Sequence, residues 1–157
     1  MASLHLTTFI AAPTDRVFDL SRHLALYKLL FHNRKERFSS GAGSNVLGKG
    51  ETVSVVVKNA GKSRMAMIKI TDLKRPHSFT EELVKGDLEN FKHEHHFKPT
   101  DNGTIIIDLV EFGMPKDIVG RLFGKLYFRK YMEELLHKRN ELIRSYAETE
   151  KWRAVLT

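Results

Sequence analysis

Cysteine is absent from the 157-residue sequence. Disulfide bonds and thiolate metal ligands are therefore excluded, and the composition fits a reducing compartment. The sequence also lacks any run of about 18 apolar residues, so we expect no transmembrane segment. Residues 1–15 contain no basic segment followed by a sustained apolar run, so we expect no secretory signal. The expected location is the cytoplasm.

The composition is that of an ordinary globular domain, with 41% hydrophobic and 29% charged residues. A chain of this length is long enough to bury one substantial hydrophobic core. No internal repeat, low-complexity tract or linker divides the sequence. We therefore expect residues 1–157 to form a single domain.

The formal net charge of +7 raises the question of an anionic partner. The 26 Lys and Arg residues are scattered along the chain, which argues against a nucleic-acid-binding surface. One ordered set exists: Arg121, Lys125 and Arg129 are four residues apart and form a stripe on one helix face. We expect this basic stripe to be a solvated face. The alternative is a transient contact with an anionic membrane surface or an acidic partner.

Hydrophobic periodicity divides the chain into three parts. Residues 3–11 alternate like a half-buried strand, and residues 12–30 have the apolar spacing of two short helices separated near Ser21 to His23. Residues 34–112 have period two with frequent turns, which indicates about six antiparallel strands. After Pro115 the period predicts one helix of roughly 30 residues, about 45 Å long. The order predicts an α+β fold with a curved antiparallel sheet around a long C-terminal helix.

The segment FKHEHHFKP, residues 91–99, contains three histidines in four positions. Strand alternation divides the segment into two faces. One face is aromatic and imidazole in character and carries Phe91, His93, His95 and Phe97. His96 belongs to the more polar face, which we expect to point to solvent.

The following strand, residues 104–112, carries Asp108 on its more buried face. If Thr100 to Gly103 form a four-residue loop, His95 lies opposite Asp108. A loop one residue longer would change the parity and separate the two side chains. We favour the first register because it gives the carboxylate a partner, and an unpaired buried carboxylate is costly.

Three interpretations of His93, His95 and Asp108 compete. They form a hydrogen-bonded group inside an apolar interior, or they orient a ligand in a cavity, or they bind a metal. A cupin-type metal site would need an acidic residue shortly after the histidine pair, where this sequence has Lys98 and Pro99. We therefore predict no metal and no cofactor.

The segment GSNVLGKG, residues 43–50, satisfies most of the pattern of a phosphate-binding loop. Gly50, however, occupies the position of the Ser or Thr that would bind magnesium. The residues that follow read as a strand, whereas the motif requires a helix. We do not expect nucleotide binding here.

The chain resembles the START/polyketide-cyclase-like superfamily, which includes the birch-pollen-allergen fold and the small bacterial SRPBCC proteins. The matching segments cover nearly the whole chain: IAAPTDRVFDL, VLGKGETV, FKHEHHF, GTIIIDLVEF and MPKDIVGRLFGKLYFRKYMEELLHKRNELI. The resemblance implies a helix-grip fold, in which about seven antiparallel strands curve around the last helix and enclose a hydrophobic cavity. Two short helices follow the first strand.

Members of this superfamily bind or carry lipids, sterols or aromatic polyketides, and some cyclise or dehydrate polyketides. The resemblance thus implies a protein that binds a hydrophobic or amphipathic small molecule in an internal cavity. The first alternative is a cyclase-, aromatase- or dehydratase-like enzyme without metal, with His93, His95 and Asp108 as candidate catalytic residues. The second alternative is an interaction module that binds an acidic partner through the basic stripe.

The expected partner is therefore a hydrophobic small molecule and not a nucleic acid. The ligand's identity and the oligomeric state stay open. The expected ligand-binding residues come from the last two strands and the long helix, and they are Phe91, His93, His95, Phe97, Ile106, Asp108, Val110, Phe112, Leu122, Phe123 and Leu126.

Overall fold

The computed structural model describes residues 1–32, 36–59 and 62–156, and describes only the backbone of Glu36, Arg37, Asn59, residues 118–123 and Lys125. Strand β1 is followed by two short helices, six further strands and one long helix. The elements are β1 (Ala2–Ile10), α1 (Thr14–Ser21), α2 (Leu24–Leu30), β2 (Glu36–Ser40), β3 (Thr52–Asn59), β4 (Lys62–Lys74), β5 (Ser78–Gly86), β6 (Phe91–Thr100), β7 (Gly103–Phe112) and α3 (Ile118–Ala147). A 3-10 turn (Glu150–Trp152) and the short helix α4 (Arg153–Leu156) follow.

The strands form one antiparallel sheet in the order β1-β7-β6-β5-β4-β3-β2. Strands β2 to β7 are therefore sequential neighbours, and the first strand pairs with the last, from Ala2 opposite Phe112 to Ile10 opposite Thr104. Strands β6 and β7 meet in the four-residue turn Thr100 to Gly103 that the sequence predicts. The predicted α+β helix-grip fold, with its antiparallel meander and long C-terminal helix, is confirmed.

Two hydrophobic clusters lie between one face of the sheet and the helices α1, α2 and α3. The larger cluster is built around three aromatic rings, those of Phe18, Phe79 and Phe97, which contact one another at centroid distances of 5.1 to 5.9 Å. The C-terminal half of α3 contributes Ile143 and Ala147 to it. The smaller cluster joins the ends of β6 and β7 to the middle of α3, and contains Phe91, Val110, Phe112, Met132 and Leu136.

The apolar stripe of α3 is buried along only part of its length. Its C-terminal half is buried, but Leu126 is 83% exposed and Tyr127 is 55% exposed. In the part of the chain that the structure describes, no helix is long and apolar enough to span a membrane.

Candidate ligand cavity and its buried polar cluster

A cavity of about 380 Å³ lies between the sheet, α2 and α3. Its walls are largely apolar and are contributed by β3, β4, β6, α2 and α3, including Leu30, Phe31, Val53, Val55, Ile68, Phe91, Phe128, Met132 and Leu136. Four polar side chains that also line the cavity, those of Tyr27, Glu81, His93 and Arg139, belong to one connected group described below. The volume is within the range of small-molecule sites, about 300 to 1,000 Å³.

The structure places the predicted site residues in different environments. Phe91 and His93 line the cavity. His95 and Asp108 are fully buried behind its wall, and the remaining predicted residues of β6 and β7 belong to the hydrophobic clusters; these are Phe97, Ile106, Val110 and Phe112. The side chains of Leu122 and Phe123 lie outside the described residues.

Leu126 is predicted to line the cavity, but the structure places it on the surface. The helical period turns Tyr127, Phe128 and Tyr131 of α3 towards the cavity and directs Leu126 away from it. The predicted ligand-binding residues include none from the walls that α2, β3 and β4 contribute. The alternation of Val53, Val55 and Val57 on β3 was the available signal for them.

His93, His95 and Asp108 form the centre of a buried polar cluster. His95 is directly opposite Asp108 in the register of β6 and β7, as the four-residue turn predicts. His93 Nε2 donates a hydrogen bond to Asp108 Oδ1 at 2.8 Å. The ring of Phe79 stacks on that of His95 with 4.0 Å between the centroids, which fixes the orientation of the imidazole.

Glu81 completes this cluster from the neighbouring strand. It lies opposite His93 in the pairing of β5 and β6 and is buried. Its Oε1 accepts a hydrogen bond from the hydroxyl of Tyr27, and its Oε2 lies 3.1 Å from His95 Nε2, within hydrogen-bonding distance. The sequence analysis does not single out Glu81. The available signal was alternation, which puts Glu81 on the same face of β5 as Phe79.

Two residues of α3, Arg139 and Asn140, complete the cluster from the helix side. Asn140 Nδ2 donates to Asp108 Oδ2 at 2.8 Å and is 3.0 Å from Thr8 Oγ1. Arg139 Nη1 donates to Asn140 Oδ1 at 2.9 Å and lies 3.6 Å from Asp108 Oδ1. Both interrupt the apolar stripe of α3, and that interruption was the sequence signal for their role.

Burial and hydrogen bonding set the charges of this cluster. Burial favours the neutral form of Glu81, but hydrogen bonding to His95 and the nearby imidazoles lower its pKa to about 2. Burial likewise opposes ionisation of Asp108, yet the hydrogen bond from His93 and the close approach of His95 hold its pKa well below the ordinary value. Burial, together with His95, lowers the pKa of His93 to about 4. Two carboxylates are thus ionised beside a neutral His93 at neutral pH.

The predicted basic stripe is only partly described. Arg129 is exposed, and its Nη1 donates to the Ser3 carbonyl oxygen at 3.0 Å. The side chains of Arg121 and Lys125 lie outside the described residues. A surface for an acidic partner or an anionic membrane therefore stays a prediction.

Comparison with solved structures identifies the fold. TTHA0849 from Thermus thermophilus superimposes with a TM-score of 0.72 at 20% identity, over 93% of this chain and 99% of that one. A START superfamily protein from Mycobacterium smegmatis gives a TM-score of 0.66 at 12% identity, over 93% and 97% of the two chains. This chain has the START fold. Ara h 8.0201 shares it, with a TM-score of 0.69 at 15% identity over 93% of this chain and 97% of that one.

No protein-family model and no curated protein sequence matches the chain. The TM-scores of 0.66 to 0.72 establish a common fold, whereas identities of 12 to 20% do not carry a ligand or an activity from one protein to another. The function of this START-fold protein must therefore be argued from its own cavity.

Proposed function

We propose that this protein binds a hydrophobic or amphipathic small molecule, such as a lipid, a sterol or an aromatic polyketide-like compound, in its internal cavity. The observation that carries the proposal is the cavity of about 380 Å³, whose walls are mostly aliphatic and aromatic. An apolar space of this size favours an apolar ligand, because burying apolar surface yields about 25 cal/mol per Å².

The polar cluster gives such a ligand a preferred orientation. Tyr27, Glu81, His93 and Arg139 are grouped in one region of the wall, where the hydrogen bonds described above connect them. Ligand pockets commonly combine an apolar body with a few placed polar groups that fix orientation. We therefore expect the polar end of the ligand next to His93 and Arg139, and its apolar body against β3, β4 and α3.

The proposal is tested by ligand-induced thermal stabilisation and native mass spectrometry. A fatty acid, sterol or polycyclic aromatic at 100 times its dissociation constant should stabilise the fold by about 2.7 kcal/mol. Val55→Trp fills the cavity from β3 and should abolish this effect, whereas Val84→Trp, at an exposed position of β5, should preserve it. A broad screen without any stabilisation of the wild-type protein would contradict the proposal.

A second candidate is acid–base catalysis in the same cavity by a cyclase- or dehydratase-like enzyme. The favouring observation is that His93 lines the cavity while its Nε2 is held by Asp108, an arrangement in which a carboxylate orients an imidazole. His95 would support the geometry from behind the wall. Mass spectrometry of the bound compound separates the two candidates: a carrier returns the ligand unchanged, and an enzyme changes its mass or its ring number.

A further inference from the structure

The buried polar cluster contains a complete set of metal-binding side chains. Glu81, His93 and His95 each offer one ligand atom, and these atoms lie within 4.8 Å of one another. The sequence argued against a metal because no acidic residue follows the histidine pair at short spacing. The structure removes that objection, because the pairing of β5 with β6 places the carboxylate of Glu81 beside His93.

We propose that Glu81 Oε2, His93 Nδ1 and His95 Nε2 bind one divalent first-row transition ion, with Zn²⁺ as the expected ion. Two imidazoles and one carboxylate are a common donor set for zinc and for non-haem iron. The two nitrogens are 3.7 and 3.1 Å from Glu81 Oε2, so the three donor atoms are already close together. This proposal does not depend on the nature of the cavity ligand.

Hydrogen counting supports an ion at this point. Four nitrogen–oxygen approaches exist: Glu81 Oε2 faces one nitrogen of each ring, and Asp108 Oδ1 faces the other two at 2.8 and 3.0 Å. A neutral imidazole carries one N–H group, so in their neutral forms the two rings would supply only two N–H groups for these four approaches. His95 Nδ1 makes no hydrogen bond in the described part of the chain, although it lies 3.0 Å from Asp108 Oδ1.

A cation between Glu81 and the two imidazoles would remove the need for an N–H group on each of the four nitrogens. With both N–H groups on the Asp108 side, His93 Nε2 and His95 Nδ1 can donate to the same carboxylate. The lone pairs of the other two nitrogens then point at the ion. The carboxylate–histidine–metal arrangement is the usual way in which proteins fix the tautomer of a ligating histidine.

The surrounding residues hold the donors in place. The Tyr27 hydroxyl donates a hydrogen bond to Glu81 Oε1, which leaves Oε2 for the ion. Asn140 Nδ2 donates to Asp108 Oδ2 and so fixes that carboxylate. Glu81 and His93 line the cavity, whereas His95 lies behind the wall. An ion with three protein donors would therefore have its open coordination position on the cavity side, where a water molecule or a ligand oxygen would bind.

The test is a titration of chelator-treated protein with Co²⁺, followed by visible absorption, and then displacement by Zn²⁺. We expect one Co²⁺ per chain with the intense bands of a four-coordinate site. Glu81→Gln and His95→Gln should each weaken binding by about 100-fold or more, since each removes a donor. Elemental analysis of protein purified without chelator distinguishes zinc from iron as the resident ion.

The matched control is His96→Gln. His96 is on the same strand and is paired with Glu94 at 3.3 Å, but it lies on the outward face. It should leave Co²⁺ binding unchanged. Because loss of a buried donor can unfold the protein, Tyr27→Phe serves as a milder variant that removes one hydroxyl and should weaken binding by about 10-fold. Circular dichroism verifies that each variant is folded.

Two results would overturn the proposal: folded wild-type protein that binds no Co²⁺, or binding that His96→Gln removes as effectively as His95→Gln. The first result would indicate a hydrogen-bonded cluster in which an imidazolium satisfies both carboxylates. Chelator-treated protein should still be stabilised by an apolar ligand, and Val55→Trp should still prevent this, so failure of the metal proposal and failure of the cavity proposal are distinguishable.

Discussion

His93 and His96 lie on opposite faces of one strand. His93 is buried, lines the cavity and is hydrogen-bonded to Asp108, whereas His96 is partly exposed and contacts only the neighbouring Glu94 among the described ion pairs. Substituting His93 and His96 in turn therefore compares a buried histidine with a partly exposed one on the same strand. The sequence predicted this division from alternation alone.

His93→Ala should weaken binding of the ligand found in the thermal-shift screen by about 1–3 kcal/mol, the cost of leaving a buried partner without its hydrogen bond. His96→Ala should change the affinity by less than about 0.5 kcal/mol, as expected for a surface substitution. Isothermal titration calorimetry measures both. Equal affinities of the two variants would show that the ligand does not use the polar cluster.

Asp108→Asn should lower the free energy of unfolding by about 3–5 kcal/mol. Asp108 is fully buried and accepts hydrogen bonds from His93 and Asn140, and removing one partner of a buried charged cluster leaves the others uncompensated. Asp101→Asn, in the exposed turn before β7, is the control and should have little effect. Urea denaturation measures both. A similar stability for the two variants would mean that the cluster contributes nothing to folding.

The sequence predicted one half of the polar cluster and missed the other. His95 and Asp108 were predictable because they lie on adjacent strands joined by a short turn, so loop length fixes their register. Glu81 was harder to recognise, because alternation places it on the face of Phe79 whereas a carboxylate ordinarily indicates a solvent face. Arg139 interrupts the apolar stripe of α3, which marks it as unusual, but which strands it contacts depends on how the helix crosses the sheet, and the helical period does not specify that.

At the scale of single elements, α3 has two unlike halves. Its C-terminal half carries the fully buried Ile143 and Ala147, whereas its N-terminal half exposes Leu126 and Tyr127. The predicted length of roughly 30 residues agrees with Ile118–Ala147. The predicted stripe is only partly buried, because apolar periodicity identifies a face of the helix but not how far the sheet covers it.

Ile143→Ala should lower the free energy of unfolding by about 2–5 kcal/mol, since it leaves a space in the larger hydrophobic cluster. Leu126→Ala should change it by about 0.5 kcal/mol or less, because the side chain is already in solvent. Chemical denaturation of both variants measures the difference. A large loss of stability in Leu126→Ala would indicate that this half of the helix is covered in solution.

The turn between β6 and β7 presses against the end of β1. A Cβ atom added at Gly103 would lie 2.3 Å from the carbonyl oxygen of Ile10 and 2.9 Å from the ring of Phe9. Gly103→Ala should therefore destabilise the fold by about 1–3 kcal/mol through forced displacement of β1. Gly43→Ala is the control, because its nearest neighbour would be an ordinary 3.9 Å away. Equal melting temperatures would contradict this close approach.

The boundaries of the elements were largely predictable. The break between the two short helices at Ser21 to His23 and the turn at Thr100 to Gly103 both appear in the structure. Each has a local cause: loss of apolar spacing or a cluster of turn residues. The tip of the turn between β3 and β4, at residues 60–61, lies outside the described residues.

On the scale of the whole molecule, the cavity adjoins both hydrophobic clusters. Val53 and Val55 belong to the larger cluster, Phe91 and Leu136 belong to the smaller, and all four line the cavity. A bound ligand would therefore contact both clusters at once and stabilise the molecule as a unit. Because the cavity is continuous with both clusters, the single substitution Val55→Trp is sufficient to test whether a ligand binds in it.

The pairing of the first strand with the last has a kinetic consequence. Strand β1 reaches its neighbour in the sheet, β7, after about a hundred residues of chain have been arranged, so its pairing closes a very long loop. Loops of this size slow folding, and we expect folding to take about milliseconds to seconds. Leu4→Ala, opposite Val110, should then mainly accelerate unfolding, whereas Val53→Ala, in the local pairing of β3 and β4, should mainly slow folding. Stopped-flow measurements would then identify β1 as the last strand to join the sheet. Until it joins, β1 is an unpaired strand through which a newly made chain could associate with another.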